Sequence, residues 1–230
     1  MLPAFLWALL AAASLLVGAY AAERFTIPTR LVGQTMGFGA GALIAALAYE
    51  LLPDSHLSDW QIWFSFGIGA LLFYAADSVL ERHAGEAGGA GLAIALGAFL
   101  DGIPESIVLG VGLAVGGSIS IGFLAAVFIS NIPESLSSTA ELAATRSPAA
   151  IYRLWSAIAL LSGVAAALGY AVATNLSTLD GRYVQALAAG AVLTMLSDSM
   201  MPEAFKEGGR SIALLTALGF AVAALLTTLD

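Results

Sequence analysis

Two closely similar segments of the chain place acidic residues beside a proline within otherwise apolar sequence. One segment, DGIPES, begins at Asp101, and the other, SNIPES, begins at Ser130. Asp101 and Glu105 are four residues apart and therefore share one face of a helix, and Ser130 and Glu134 have the same spacing. The proline in each segment removes a backbone donor and crowds the carbonyl four residues before it. Carboxylates beside freed carbonyls form a set of oxygen ligands, which suits divalent cations.

Neutral side chains in the same segments would add further oxygen ligands. Asn131 offers an amide oxygen, and Ser106 and Ser135 offer hydroxyls. Where two helices that carry these segments face each other, three carboxylates and several neutral oxygens converge on one cation. We therefore predict a metal site formed by Asp101, Glu105, Ser130, Asn131 and Glu134.

The composition shows what kind of protein must hold this site. Hydrophobic residues make up 60% of the 230 residues, charged residues make up only 10%, and the mean hydropathy is +0.92. A soluble domain carries about 25% charged residues and must expose roughly half of its surface as polar atoms, so it could not hide this much apolar surface. We therefore exclude a soluble enzyme, a nucleic-acid-binding protein and a disordered chain. The absence of cysteine also excludes disulfides and thiolate metal ligands.

Eight segments are apolar and long enough to cross a bilayer, which takes about 20 residues of helix. The connections between them are short and leave no room for a soluble domain, so we predict a single all-α membrane domain over residues 1–230. The predicted spans lie near residues 3–22, 31–52, 60–80, 90–114, 120–141, 154–173, 183–203 and 211–229.

Three further acidic residues, Glu50, Asp77 and Asp198, fall inside these predicted spans, whereas no lysine or arginine does. An ionised carboxylate in the bilayer costs about 3 kcal/mol or more, so it faces a bundle interior or a water-filled path and takes a partner. Without an internal basic residue, that partner is a proton, water or a cation. We predict that Glu50 and Asp198 line the two mouths of a transport path. Asp77 lies near a span end and either joins this path or reaches toward the interface.

The basic residues indicate how the chain lies in the membrane. Seven of the eight lie in the loops that follow spans 1, 3, 5 and 7, and only Arg182 lies on the other side. Because basic loops stay in the cytoplasm, this bias places both chain ends outside it. The seven are Arg24, Arg30, Arg82, Arg146, Arg153, Lys206 and Arg210.

A second internal similarity relates spans 2 and 7. Residues 40–55 read AGALIAALAYELLPDS, and residues 189–204 read AGAVLTMLSDSMMPEA. Spans 2 and 7 run in opposite directions, as do spans 4 and 5, so we predict three helices, a central pair and three helices in an inverted repeat. Repeats of this kind are characteristic of secondary transporters, whose substrate site lies near the membrane midplane on interrupted helices.

These motifs resemble those of the ZIP (Zrt-, Irt-like protein) family of divalent metal transporters, and the resemblance covers essentially the whole chain. The family's fourth span carries His-Asn-x-Pro-Glu-Gly, to which DGIPES from Asp101 is similar. Its fifth span carries a related segment that SNIPES from Ser130 resembles. Its second and seventh spans end in Leu-Pro-Glu-like segments, which LLPD from Leu51 and MMPE from Met200 resemble.

The resemblance implies uptake of a divalent transition metal into the cytoplasm by alternating access, through a site between spans 4 and 5. The ion would be the substrate, with zinc, manganese, iron and cadmium as candidates, and no cofactor would be permanently bound. In the family, spans 1, 4, 5 and 6 are considered to move against spans 2, 3, 7 and 8, and dimers are common. The expected partners are the metal ion, the lipid bilayer and, where dimers form, a second copy, with no nucleic acid. A divergent bacterial-type member would lie in the inner (plasma) membrane.

Departures from the family pattern affect the choice of ion. Asp101 stands where the family has histidine, Gly102 stands where it has asparagine, and Asn131 replaces a frequent acid of the fifth span. Family members with two metal sites have a glutamate in span 6 after Ser-Gly, whereas Ser162-Gly163 is followed here by valine and alanines, so we expect one metal site. An all-oxygen site favours manganese or magnesium, while zinc prefers mixed sets that include nitrogen. Because family membership favours zinc, we place zinc first, with manganese and iron close behind.

Three other functions remain open on the sequence. A repurposed ZIP-like carrier of another solute would explain why the motif glycines are Ser106 and Ser135 here and why the histidine is missing. A non-transporting metal sensor would use the same ligands. An intramembrane metal-dependent enzyme would need a metal, a water and a general base aligned on a substrate. The chain has no His-x-x-x-His or Glu-x-x-His set, so we predict that it is not an enzyme.

Overall fold

The structure, a computed structural model, describes residues 1–52, 58–87, 90–116, 119–175 and 181–229. These residues are almost entirely helical and include no β-strand, which confirms the predicted all-α class. The Pro53-Asp54 part of the second-span motif lies outside the described residues.

Nine α-helices are present in the described ranges, and their bounds follow the predicted spans closely except near the C-terminus. They are α1 (Leu2–Arg24), α2 (Thr29–Ala46), α3 (Trp60–Ala87), α4 (Ala90–Gly116), α5 (Ile121–Leu142), α6 (Pro148–Asn175), α7 (Gly181–Met195), α8 (Met201–Gly208) and α9 (Ile212–Leu226).

Seven helical stretches of the described chain are long and apolar enough to cross a membrane, which makes this an integral membrane protein. The predicted span 183–203 and all but the last three residues of 211–229 fall within the last stretch, Gly181–Leu226, whose 46 residues are more than twice what one crossing needs. A 3₁₀ turn interrupts this stretch at Gly209–Ser211, where Gly209 has a φ of 68°. Glycine tolerates this left-handed conformation because it has no Cβ.

Two π-helical turns lie at corresponding positions of the sequence repeat. They are Leu47–Leu51, which continues α2, and Leu196–Met200, which joins α7 to α8. Each begins seven residues after the alanine that opens the repeat, Ala40 in one copy and Ala189 in the other. Each also ends two residues before a proline of the sequence. A proline ring crowds the carbonyl four residues before it, and the wider π turn gives that carbonyl room.

Glycines bring α2 and α9 into backbone contact. A Cβ on Gly41 would overlap the carbonyl oxygen of Thr216, and a Cβ on Gly219 would overlap that of Phe38. Gly37 of α2 packs against Ile212 at the start of α9, where a Cβ would lie 2.7 Å from the Ile212 Cγ2. From Gly37 to Gly41 the contact in α9 moves from Ile212 to Thr216, so α2 and α9 run in parallel.

The pair α3 and α7 repeats this arrangement with different residues. A Cβ on Gly69 would overlap the carbonyl oxygen of Leu187, and a Cβ on Gly190 would overlap that of Phe66. Nearer the start of both helices, the Tyr183 hydroxyl donates a 2.7 Å hydrogen bond to the side-chain oxygen of Gln61. These two helices therefore also run in parallel.

The four remaining long helices form a second group that carries the candidate site. α1 packs against α5 and α6, α6 packs against α4, and α4 contacts α5. The indole N–H of Trp155 in α6 donates a 2.8 Å hydrogen bond to Oγ1 of Thr139 in α5, and both residues are buried. The two central helices are thus held from both sides by α1 and α6.

Candidate functional site

Three carboxylates lie buried on the central helices α4 and α5. Asp101 and Glu134 are each 8% exposed, and Glu105 is 2% exposed. Asp101 acts electrostatically on Glu105, and both act on Glu134, so the three form one group of like charges. Pro104 lies inside α4 and Pro133 inside α5, one residue before a glutamate of this group in each case.

The two neutral residues of the predicted site are buried in the same region. Ser130 is fully buried, and its hydroxyl donates a 3.0 Å hydrogen bond to the carbonyl of Val127, which leaves the oxygen lone pairs available. Asn131 is 5% exposed. α2 approaches α5 closely here, because a Cβ on Gly39 would lie 3.0 Å from the Cα of Ser130. All five residues of the predicted site therefore lie inside the bundle.

The carboxylates are near one another but are not gathered around one point. Within the part of the chain that the structure describes, no three histidine, cysteine, aspartate or glutamate side chains stand close enough to hold a common metal ion. One carboxylate oxygen, Oε2 of Glu134, is buried without a hydrogen-bond partner among the described residues. A buried, unpaired carboxylate oxygen is costly, so this atom needs a proton, a water molecule or a cation as its partner.

One hydroxyl considered as a ligand has another role. Ser135 donates hydrogen bonds to the carbonyls of Asn131, at 2.9 Å, and Ile132, at 3.1 Å, in its own helix. Its oxygen also faces Gly18 of α1, where any Cβ would overlap it. The Ser135 hydroxyl thus packs against α1 and donates to carbonyls of its own helix, and its contribution to the metal site stays a prediction.

An open cavity of 690 Å³ leads toward the carboxylates from one end of the bundle. We call this cavity the vestibule; its polar wall contains Glu50, Ser120, Gln185 and Thr227, and its apolar wall contains Val108 and Leu109 among others. The structure thus places Glu50, which the sequence predicted at a mouth of the path, in the wall of a real cavity. Leu109 lies one helical turn beyond Glu105, so the vestibule ends close to the buried carboxylates.

The two other acids predicted along the path differ in their surroundings. Asp77 is half-buried on α3 and acts electrostatically on Asp101, so it lies near the central group. Asp198 is exposed on the π turn that follows α7. The structure therefore brings Asp77 toward the site and leaves Asp198 on the surface.

Glu203 belongs to this group as well, although the sequence did not predict it as a site residue. It is half-buried on α8 and acts electrostatically on both Asp101 and Glu134. Its Oε1 accepts a 3.4 Å hydrogen bond from the Ser137 hydroxyl of α5. Glu203 lies on the side of the carboxylates opposite the vestibule, because Ser137 follows Glu134 along α5 and the vestibule lies where α5 begins. The Pro-Glu pair at the end of the second repeat copy is the sequence feature from which Glu203 could have been predicted.

Comparison with known proteins adds no assignment to this geometry. No protein-family model matches the chain, and no curated protein matches it either.

Proposed function

We propose that this chain is a ZIP-like transporter that carries a divalent transition-metal cation through the carboxylate group of α4 and α5. The observation that carries the proposal is the burial of Asp101, Glu105 and Glu134 as one interacting group on two proline-containing membrane helices. Each carboxylate would cost about 3 kcal/mol or more in the bilayer without a partner. A dication offsets two of these charges at once.

The spacing of the carboxylates fits a substrate ion better than a resident one. Like charges repel in a medium of low dielectric constant, which holds the acids apart when no cation lies between them. An arriving cation would draw the Glu134 oxygen that lacks a partner toward the oxygens of Asp101 and Glu105. A site that tightens on the ion and relaxes on release suits transport, whereas a hydrolytic metal centre needs ligands already in place. We therefore propose that the chain is not an enzyme.

We further propose eight membrane crossings in a three-two-three inverted repeat. The paired π turns at repeat-related positions support it, and so do the glycine contacts, because Gly41 and Phe38 of α2 correspond in the repeat to Gly190 and Leu187 of α7. The parallel pair of α2 and α9 is then the counterpart of the parallel pair of α7 and α3. A second crossing by α9 requires the chain to reverse, and Gly209 is placed to allow it.

The ion path in this proposal runs from the vestibule through the central carboxylates to Glu203. The basic loops favour a vestibule that opens outside the cytoplasm, on the side of both chain ends, in a bacterial inner membrane. The present conformation is then outward-open, since the described cavity of 690 Å³ lies on that side. Zinc is the first candidate ion, with manganese and iron next because the site residues offer only oxygen ligands.

The proposal is tested by uptake into proteoliposomes of the purified chain, with zinc, cadmium, manganese, iron and magnesium compared. We expect saturable uptake of at least one of these ions, and its loss in Glu134→Gln. The matched control is Glu141→Gln, which makes the same change in the same helix at an exposed position and should retain uptake. If the folded wild-type chain binds a divalent ion but transports none, the chain is a sensor. If it neither binds nor transports any of them, the scaffold serves another solute.

A further inference from the structure

A second, much smaller cavity lies beside Glu105, enclosed by α1, α4, α5 and α6. Its volume is 10 Å³, which is about the space that one water molecule needs. Most of its lining is apolar and comes from alanines and from Leu15, Leu109 and Val127. It therefore offers room for one small particle without a hydration shell.

Four polar side chains point into this small cavity, and their hydrogen-bonding capacity is unused. Glu105, Ser106, Asn131 and Ser162 line it, and each is at most 5% exposed. Among the described residues, no side-chain hydrogen bond is made by any of these four. Buried hydroxyls and amides normally have a partner, so four unused polar groups around one cavity indicate a bound species.

The charge of the lining distinguishes this cavity from the group proposed to hold the divalent ion. Glu105 is its one acidic lining residue, and the other three polar residues are neutral. Asp101 and Glu134, the other two buried acids, do not line it. A formal charge of −1 balances a monovalent cation and would leave a dication with an uncompensated charge in a low-dielectric interior.

We propose that this small cavity binds one sodium ion, coordinated by the Glu105 carboxylate, the Ser106 and Ser162 hydroxyls and the Asn131 amide oxygen. Sodium takes oxygen ligands and, without its hydration shell, is smaller than a water molecule, so it fits a volume of 10 Å³, whereas bare potassium is about as large as the water molecule that this volume barely admits. A water molecule would satisfy the hydroxyls and the amide, but the Glu105 carboxyl would then have to hold a proton to be neutral.

Leu109 connects the sodium cavity to the vestibule, because its side chain lines both. A change of the Leu109 rotamer would let a sodium ion pass from the vestibule to Glu105. Since Glu105 would then serve both ions, occupancy by sodium would be linked to occupancy by the divalent cation. This coupling role rests on the proposed transport function, whereas sodium binding itself does not.

The test measures binding of radiolabelled sodium to the purified full-length chain in detergent, with choline holding the ionic strength constant. We expect saturable binding of about one sodium ion per chain, displaced by unlabelled sodium and not by an equal concentration of potassium. Ser162→Ala should weaken sodium binding about tenfold or more, since one ligand to a charged group is lost. The matched control is Ser14→Ala, because Ser14 is a buried serine whose hydroxyl bonds to the Ala11 carbonyl of its own helix.

Cadmium binding is measured on the same samples to separate this proposal from the proposed function. Ser162→Ala should keep cadmium binding, and Glu134→Gln should lose cadmium binding while it keeps sodium binding. Absence of displaceable sodium from the folded wild-type chain would overturn the sodium site and leave a water in the cavity. Equal sodium affinity in wild type and Ser162→Ala would overturn it as well, because the ion would then bind elsewhere. If the wild-type chain binds sodium but not cadmium, the result would count against the transport proposal only.

Discussion

The Ser137 hydroxyl donates a hydrogen bond to Oε1 of Glu203 across 3.4 Å, and this contact links α5 to α8 on the side of the site away from the vestibule. Glu203 also acts electrostatically on Asp101 and Glu134. The acidic group therefore continues beyond the central helices toward the end of the bundle where the chain leaves α8.

Replacing Glu203 by glutamine should slow transport more than it weakens ion binding. In the proposed path, a cation leaving Glu134 would then lose the Glu203 carboxylate on the way out, and we expect the uptake rate to fall about tenfold, the effect of one lost interaction with a charged group. The initial rate of uptake and the dissociation constant are measured on the same preparation. Glu207→Gln, one turn further along α8, serves as the control. Equal rates for the two variants would remove Glu203 from the path.

Alanine at Gly69 should destabilise the fold, whereas alanine at Gly67 should not. A Cβ on Gly69 would overlap the Leu187 carbonyl, while a Cβ on Gly67 meets no atom within 4 Å. Overpacking of this kind costs about 1–3 kcal/mol, and alanine in open helix surface gains up to about 1 kcal/mol over glycine. Thermal unfolding in detergent measures the change in stability of both variants, Gly69→Ala and Gly67→Ala. The same loss is expected for Gly219→Ala in α9, and a loss at only one of the two sites would count against the symmetric packing.

Valine at Thr139 should destabilise the contact between α5 and α6. The change removes the acceptor of the Trp155 indole N–H, which is fully buried and would be left without a partner. The expected cost is about 1–3 kcal/mol, read from tryptophan fluorescence during thermal unfolding. Thr174→Val is the control, because the Thr174 hydroxyl is exposed and bonds only within α6. Identical unfolding temperatures for the two variants would show that the buried hydrogen bond contributes nothing net.

Histidine at position 101 should shift the ion preference from manganese toward zinc. Asp101→His replaces an oxygen ligand with an imidazole nitrogen, and zinc favours such mixed sets. Competition between the two ions for uptake, measured in wild type and variant side by side, gives the order directly. An unchanged order would mean that Asp101 does not contact the ion.

Single cysteines should report which side of the membrane the vestibule faces. The natural chain has no cysteine, so each introduced thiol is the only one to react. Gly112→Cys lies in the vestibule wall, and Arg210→Cys lies at the exposed turn between α8 and α9. A membrane-impermeant thiol reagent added outside intact cells should label the cysteine at 112 and spare that at 210. Labelling of both from one side would refute the proposed crossing by the last helical stretch.

Apolarity and the cost of buried charge predicted much of what the structure contains. The runs of apolar residues located the helices, and the expense of a carboxylate in lipid predicted that Asp101, Glu105 and Glu134 would be buried together. These predictions depend only on short stretches of sequence and on the properties of the lipid that surrounds them. Both are known before the fold is. The repeat between residues 40–55 and 189–204 likewise predicted equivalent helices, although not their π turns.

The hydrogen-bond and packing partners of individual side chains could not be predicted in the same way. Whether Ser135 offers its hydroxyl to an ion or to its own helix depends on how close α1 comes, which Gly18 decides from a distant part of the sequence. Glu203 joins the acidic group only because α8 lies against α5 near Ser137. The small cavity beside Glu105 depends on four helices at once, and no pattern within one segment could indicate it.

The vestibule also has an electrical consequence. In the proposed orientation, a wide cavity open to water would carry the potential of the adjacent solution down to its inner end, so the membrane voltage would fall mainly across the thinner closed layer beyond Leu109. Moving a divalent ion through the full voltage involves about 4.6 kcal/mol per 100 mV, twice the value for one elementary charge. Movement of the ion to the inner end of the vestibule would use little of this energy. In the proposed transport path, most of the electrical work would therefore act on the steps from Glu105 past Glu203, which would make the voltage a driving force for release of the ion rather than for its capture.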